Sequence, residues 1–134
     1  MRASSKTARR VIVSLFLVVA SLTSVAVPQQ RWVPTANKGE ELDTLSVVAL
    51  GNDQFRVWLR VVAGDSLLWM QQYEYDCRLR QSRMIRYMGY YGKPTPSQDW
   101  DYERTATSQA IVPGSIGEAS FKSACAFALK RKHD

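Results

Sequence analysis

Gln54-Phe55-Arg56-Val57-Trp58-Leu59-Arg60-Val61-Val62 puts Phe55, Val57, Leu59 and Val61 on one side of an extended chain and Arg56, Trp58 and Arg60 on the other. That alternation is the pattern of a half-buried strand. Downstream, Ala63-Gly64-Asp65 makes a tight connection into Ser66 to Cys77. There Leu67, Trp69, Tyr73, Tyr75 and Cys77 share one parity, and Gln72, Glu74 and Asp76 the other, so the two runs read as a hairpin. Leu79 to Tyr91 alternates less cleanly but is rich in β-formers toward its end, at Ile85, Tyr87, Tyr90 and Tyr91. Upstream, Gly51-Asn52-Asp53 is a turn signal after Leu45 to Leu50, and Trp32 anchors a first strand within the proline-bearing segment Val27 to Lys38.

Near the C-terminus, Val112-Pro113-Gly114-Ser115-Ile116-Gly117-Glu118 announces a helix. Ser115 is placed to cap the exposed amides, and Glu118 to reach back and complete a capping box. Phe121, Cys125 and Ala128 or Leu129 recur at helical spacing, and Lys130-Arg131-Lys132 suits the negative pole of the helix dipole. Between meander and helix, Gly92 to Tyr102 contains Pro94 and Pro96 and reads as the longest loop, with Thr105 to Val112 as a short final strand. The expected fold is α+β, an antiparallel meander with a C-terminal helix packed on it and one disulfide.

The chain opens with Arg2, Lys6, Arg9 and Arg10, then the apolar run Val11 to Ala20, then the small-residue site Ser24-Val25-Ala26. This is the layout of a secretory signal. Cleavage after Ala26 gives a signal peptide over residues 1–26 and one domain over residues 27–134. An uncleaved anchor fits less well, because Val11 to Val27 is at the lower limit of a bilayer span and is diluted by Ser14, Ser21, Thr23 and Ser24. Membrane association is expected only before cleavage.

Cleavage changes the charge argument. Four of the 18 basic residues and none of the 12 acidic ones precede Val27, which leaves 14 against 12 beyond it. A basic excess that sits mostly in a discarded peptide excludes the nucleic-acid reading. Cys77 and Cys125 are the two cysteines, and an even pair in a small exported domain reads as one disulfide. With His133 alone in a charged tail, the two thiols cannot supply a closed metal set, so neither metal nor other cofactor is expected.

Catalysis is not expected either. The carboxylate pairs Glu74 with Asp76 and Asp99 with Asp101 read as solvated positions. Arg78, Arg80, Arg83 and Arg86 form the densest basic cluster. Strand parity sets Arg83 apart from the other three, and Arg83 is expected to pair with an acid, Asp76 or Glu74, Asp76 being the partner adopted. The opposing reading is an anion-binding face. Met70, Met84 and Met88 read as packing residues rather than haem ligands. The residues expected to engage a partner are Tyr90, Tyr91, Lys93, Trp100 and Tyr102, presented by the 92–102 loop rather than lining a pocket.

Tyr75-Asp76-Cys77, Arg83, Tyr90-Tyr91-Gly92, the run Ile111 to Glu118 and a closing Cys125 together resemble the surface-adhesin protein E-like domain family of Gram-negative bacteria. Trp32, Asp43-Thr44 and Val57-Trp58 agree more loosely, while Ala49-Leu50 and Ala119-Ser120-Phe121 depart from the pattern. The resemblance implies an exported, signal-bearing α+β domain with an antiparallel sheet, one cysteine bridge and no enzymatic activity. It also implies a protein partner, either host matrix or bacterial envelope, and residence in the periplasm or at the cell surface. A periplasmic envelope-maintenance module and a carrier of haem or another small ligand are the alternatives.

Overall fold

The computed structural model describes residues 30–134. The signal peptide and cleavage site expected over residues 1–26 lie outside the described residues. Eight strands and one helix follow in the order β1 (Trp32–Pro34), β2 (Glu40–Asp43), β3 (Val48–Gly51), β4 (Gln54–Ala63), β5 (Ser66–Asp76), β6 (Gln81–Gly89), β7 (Gln98–Asp101), β8 (Gln109–Ala110) and α1 (Ile116–His133). All strand pairings are antiparallel, along the path β1-β2-β4-β5-β6-β7, with β3 also on β4 and β8 also on β6. The long meander β4-β5-β6 is therefore the spine, and each of its edges is lined by short strands in succession.

The alternation in β4 does what it promised. Phe55, Val57 and Leu59 are all buried, and they form the core with Leu42, Tyr75 and Ile111 of the sheet side and Phe121, Ala124 and Cys125 of α1. Each fully buried side chain of this size contributes about 1.5–3 kcal/mol. The β3–β4 turn takes left-handed backbone at Asn52 (φ 51°) and Asp53 (φ 59°), residues that tolerate it and match the twist of a tight hairpin.

The sheet departs from the reading of the sequence in two ways, in which residues form strands and in register; residues 40–43 form β2, which the sequence did not announce. Residues 98–101 do not belong to a loop: they form β7, with Tyr87 opposite Trp100 and Gly89 opposite Gln98. The two prolines end the strand-free stretch just before it, and an edge position beside β6 tolerates their neighbourhood. The expected strand over Thr105 to Val112 contracts to Gln109–Ala110. The second departure is a β-bulge in β6. Gln72 faces Arg86 but Tyr73 faces Met84, so Ile85 is an extra residue and the parity of the strand inverts there. This accounts for the uneven alternation of Leu79 to Tyr91. It also places Arg83 and Arg86 on the same face, where simple parity had separated them.

The helix crosses one face of the sheet. Ser115 is its N-cap and accepts a hydrogen bond from the Glu118 amide at 3.1 Å. The return half of the expected capping box is altered: the Ser115 amide bonds Val112 O, and the Glu118 carboxylate is held by Lys122, the Gly114 backbone and Arg80. Cys77 and Cys125 are joined, with Cα atoms 5.8 Å apart, which ties the helix to the residue just past β5. Further along, Arg131 bonds Thr44 O and Lys132 pairs with Asp53 at 3.0 Å. Among the described residues no helix is long and apolar enough to cross a membrane.

Candidate functional site

The two faces of the sheet have different chemistry. On the face away from the helix, Arg83 lies opposite Glu74 in the β5–β6 ladder and bonds it through Nε at 2.9 Å and through a second nitrogen. Arg56 reaches the same carboxylate at 2.6 Å and Glu103 at 2.8 Å. Arg86 pairs with Asp99 at 2.8 Å and Arg60 with Glu41 at 2.6 Å. The expected Arg83–Asp76 pair does not form, because register puts Gln81, not Arg83, across from Asp76. The Asp76 carboxylate instead accepts from the Leu79 amide at 2.7 Å and from Gln54 at 2.8 Å, closing the turn that follows β5. Those bonds, the Leu79 amide first, hold Asp76 below the ordinary aspartate range. Arg56, Arg60, Arg83 and Arg86 are thus each paired with a carboxylate, whereas Arg78 and Arg80, the other members of the basic cluster, are exposed, with Arg80 3.5 Å from Glu118.

The helix-side face is covered over only part of its width. Beyond Phe121 and the α1 N-terminus, the inner side chains of β4, β5 and β6 line an open cleft of about 850 Å³. Its floor holds Val61, Trp69, Gln71, Tyr73, Tyr75 and Tyr87, with Tyr91 at one end. Asn37, Lys38 and Glu40 line it together with Ile116, Gly117 and Ser120 at the start of the helix, to which Asn37 and Glu40 are hydrogen-bonded. A shallower groove continues from Tyr73 and Ser82 past Met84 and Tyr102 to Gln109. Tyr73 stacks on Tyr75 at 5.4 Å, and Tyr75 meets Phe121 edge-on at 5.8 Å. The aromatic band thus runs from the core out into the cleft.

Burial, and then the field of neighbouring Glu40, raises the Tyr73 phenol. Burial first, then Tyr73 and Glu40, pushes Tyr75 well above the usual tyrosine range. Tyr87 is pushed up to about 12 by desolvation and by its 2.7 Å hydrogen bond with the Tyr91 hydroxyl. All three remain protonated near neutral pH and are able to donate hydrogen bonds. Among the described residues no buried polar side-chain atom lacks a partner.

Tyr91 is positioned at a backbone cost. It adopts φ 50°, a left-handed conformation that few side chains accept, and Gly92 follows at φ 78°. The Tyr91 and Gly92 amides bond Leu68 O and Leu67 O, which fixes the turn. The ring then folds over Gly89, where a Cβ would lie 2.7 Å from Tyr91 Cε2. A side chain at that place would push the Tyr91 ring aside from its present seat.

Of the residues singled out from sequence, Tyr91 lines the cleft and Tyr102 the adjoining groove. Trp100 lies between them on β7, stacked on Tyr87 at 5.5 Å and edge-on to Tyr102 at 6.4 Å. Tyr90 sits near Arg86, on the ladder face, and Lys93 closes the exposed turn with a bond from its amide to Tyr90 O. The structure therefore brings three of the five together beside a cleft and leaves two outside it. Trp69, Gln71, Tyr73 and Glu40 were not singled out. The inward parity of Trp69 and Tyr73 was legible, but parity alone does not tell how far the helix extends over the face, and Glu40 lies on a strand that the sequence did not announce.

A smaller hollow of about 360 Å³ lies between β3 and the C-terminal half of α1, lined by Val47, Ala49, Phe55, Ala128 and Leu129 among others, with the Lys132–Asp53 pair in its wall.

An antiparallel sheet crossed on one face by a single C-terminal, disulfide-tethered helix is the fold class that emerges. No family model matches the chain, and no curated protein matches it in sequence. Among solved structures it is similar to Haemophilus influenzae protein E in its crystal form II, with a TM-score of 0.53. The likeness covers 73% of this chain and 89% of that one at 10% sequence identity, which makes it a likeness of fold.

Proposed function

We propose that this chain is an exported, non-catalytic binding domain of the surface-adhesin protein E-like kind, and that it binds through the open, aromatic half of its helix-side face. The observation that carries the reading is the cleft itself. In a domain of this size an inward-facing band of Trp69, Tyr73, Tyr87 and Tyr91 would ordinarily be covered, and here Trp69, Tyr73 and Tyr87 are only half-buried and Tyr91 is exposed, beside Trp100 and Tyr102. Aromatic side chains of this type carry much of the energy at recognition surfaces, because they offer large area at low ordering cost.

The motif resemblance and the fold shared with Haemophilus influenzae protein E support the adhesin-like class. The reactive groups support the non-catalytic part of the reading: both thiols are joined, and Glu74 is clamped between two arginines that keep it charged. The partner is a protein of host matrix or bacterial envelope, and the setting is the periplasm or the cell surface.

The test is a parallel capture. Residues 27–134 are immobilised and exposed to envelope extract and to host matrix proteins, with a Tyr87→Ala, Trp100→Ala double variant alongside. The reading expects an identified protein retained by the native domain and lost from the variant. Equal retention by both would move the binding surface elsewhere.

A further inference from the structure

The cleft contains a carboxylate without a cation. Glu40 is 7% exposed and lies on β2 opposite Val61, within the cleft wall. Its Oε1 accepts from Thr35 Oγ1 at 2.6 Å, Asn37 Nδ2 at 3.1 Å and Ser120 Oγ at 2.8 Å. Its Oε2 has only the same Ser120 hydroxyl, at 3.0 Å, and a hydroxyl carries a single proton. All these donors are neutral, and Glu40 forms no ion pair among the described residues. A charge this deeply buried is normally paired with a cation or a metal.

The surroundings narrow what could supply the missing charge. Tyr73 and Tyr75 present stacked rings beside Glu40, and neither hydroxyl bonds another side chain among the described residues. Tyr75 is only 2% exposed, so its ring closes the bottom of the cleft. Aromatic faces attract ammonium and guanidinium groups, most strongly where water is excluded. Val61 and Trp69 line the approach with apolar surface suited to a methylene stem. Lys38 lines the same wall, but it is exposed, and solvent and salt screen it far more than they screen a buried carboxylate.

Resting on the reading of the cleft as the binding site, we infer that it takes a cationic group, a primary ammonium or a guanidinium on an aliphatic stem, seated on Glu40 against the Tyr73 and Tyr75 rings. The source is a lysine or arginine side chain of a partner, or a free polyamine. Beyond Ala26 the net charge is slightly positive, so selection comes from the buried seat and not from long-range attraction.

Titration of residues 27–134 by calorimetry and tryptophan fluorescence tests this, with tri-lysine, spermidine, acetyl-norleucine amide and tri-glutamate as probes. The expected result is saturable binding of tri-lysine or spermidine, weakened at least about tenfold in Glu40→Gln, and none of acetyl-norleucine amide. Tighter tri-lysine assigns the cation to a protein, and tighter spermidine to a polyamine. Because Glu40→Gln could disturb its hydrogen-bond cluster, amide shift mapping on the native domain runs beside it, with shifts expected at Glu40, Tyr73, Tyr75 and Ser120. Norleucine binding as well as lysine, tri-glutamate binding instead, or shifts that avoid these four residues would overturn the cation seat. A neutral or acidic probe that binds and is lost in Tyr87→Ala would overturn the cation while leaving the cleft as the binding site. A captured partner indifferent to Tyr87→Ala would overturn the cleft reading itself.

Discussion

Trp100 stacks on Tyr87, its cross-strand partner in the β6–β7 ladder, with ring centroids 5.5 Å apart, yet stays 49% exposed. The pair is at once a clasp for a short edge strand and the rim of the cleft. Cross-strand aromatic pairs contribute about 0.5–1.5 kcal/mol beyond their area. Trp100→Ala should therefore lower Tm by only about 5 °C while weakening partner binding at least about tenfold. A Tm loss of about 15 °C or more would instead make Trp100 a core residue.

The Cys77–Cys125 bridge closes a loop of 48 positions between the end of β5 and the middle of α1. By the chain-entropy argument such a link stabilises by about 4 kcal/mol. Cys77→Ser and Cys125→Ser should each lower Tm by about 20 °C, and the double variant by no more than either alone. Non-reducing peptide mapping of exported protein should recover the linked pair, and labelling of both thiols in native protein would contradict it.

Glu74 gives the ladder face its pH dependence. Burial disfavours its charge, but the hydrogen bonds from Arg56 and Arg83, with their charges, outweigh that and hold its pKa below the ordinary glutamate value. A carboxylate whose folded pKa is depressed contributes stability above its unfolded pKa and loses it as pH falls through the folded one. Glu74→Gln should cost about 1–2 kcal/mol at pH 7 and flatten the loss of stability on acidification below about pH 4.5. Parallel acid-unfolding curves for native and variant protein would contradict this.

The meander and the helix were legible because both are written in local periodicity. Phe55, Val57 and Leu59 alternate, and Ser115 precedes a run with Phe121 and Cys125 at helical spacing. What escaped depends on register and on tertiary cover. The bulge at Ile85 reverses the parity of β6, so Arg83 and Arg86 share a face and Arg83 meets Glu74 rather than Asp76. Residues 98–101 become a strand because β6 offers them an unpaired edge, which no property of Gln98-Asp99-Trp100-Asp101 announces. The site was legible in part. Tyr91, Trp100 and Tyr102 stood out as aromatics near a turn, but Glu40 and Tyr73 join them only because the helix stops short of covering the face.

Processing is a separate expectation, drawn from Ser24-Val25-Ala26 and the proline at position 28. Intact mass of exported protein should begin at Val27. Recovery of a full-length precursor in the inner membrane would contradict it.

The central claim is that the uncovered aromatic half of the helix-side face is where this domain binds. Hydrogen exchange of residues 27–134, free and with the captured partner, tests it most directly. The account predicts slowed exchange concentrated in the peptides that carry Lys38 to Glu40, Trp69 to Tyr73 and Tyr87 to Tyr91, with the outer strand β3 unchanged. Protection confined to β3 and the C-terminal half of α1, with the cleft peptides exchanging as in the free domain, would contradict it.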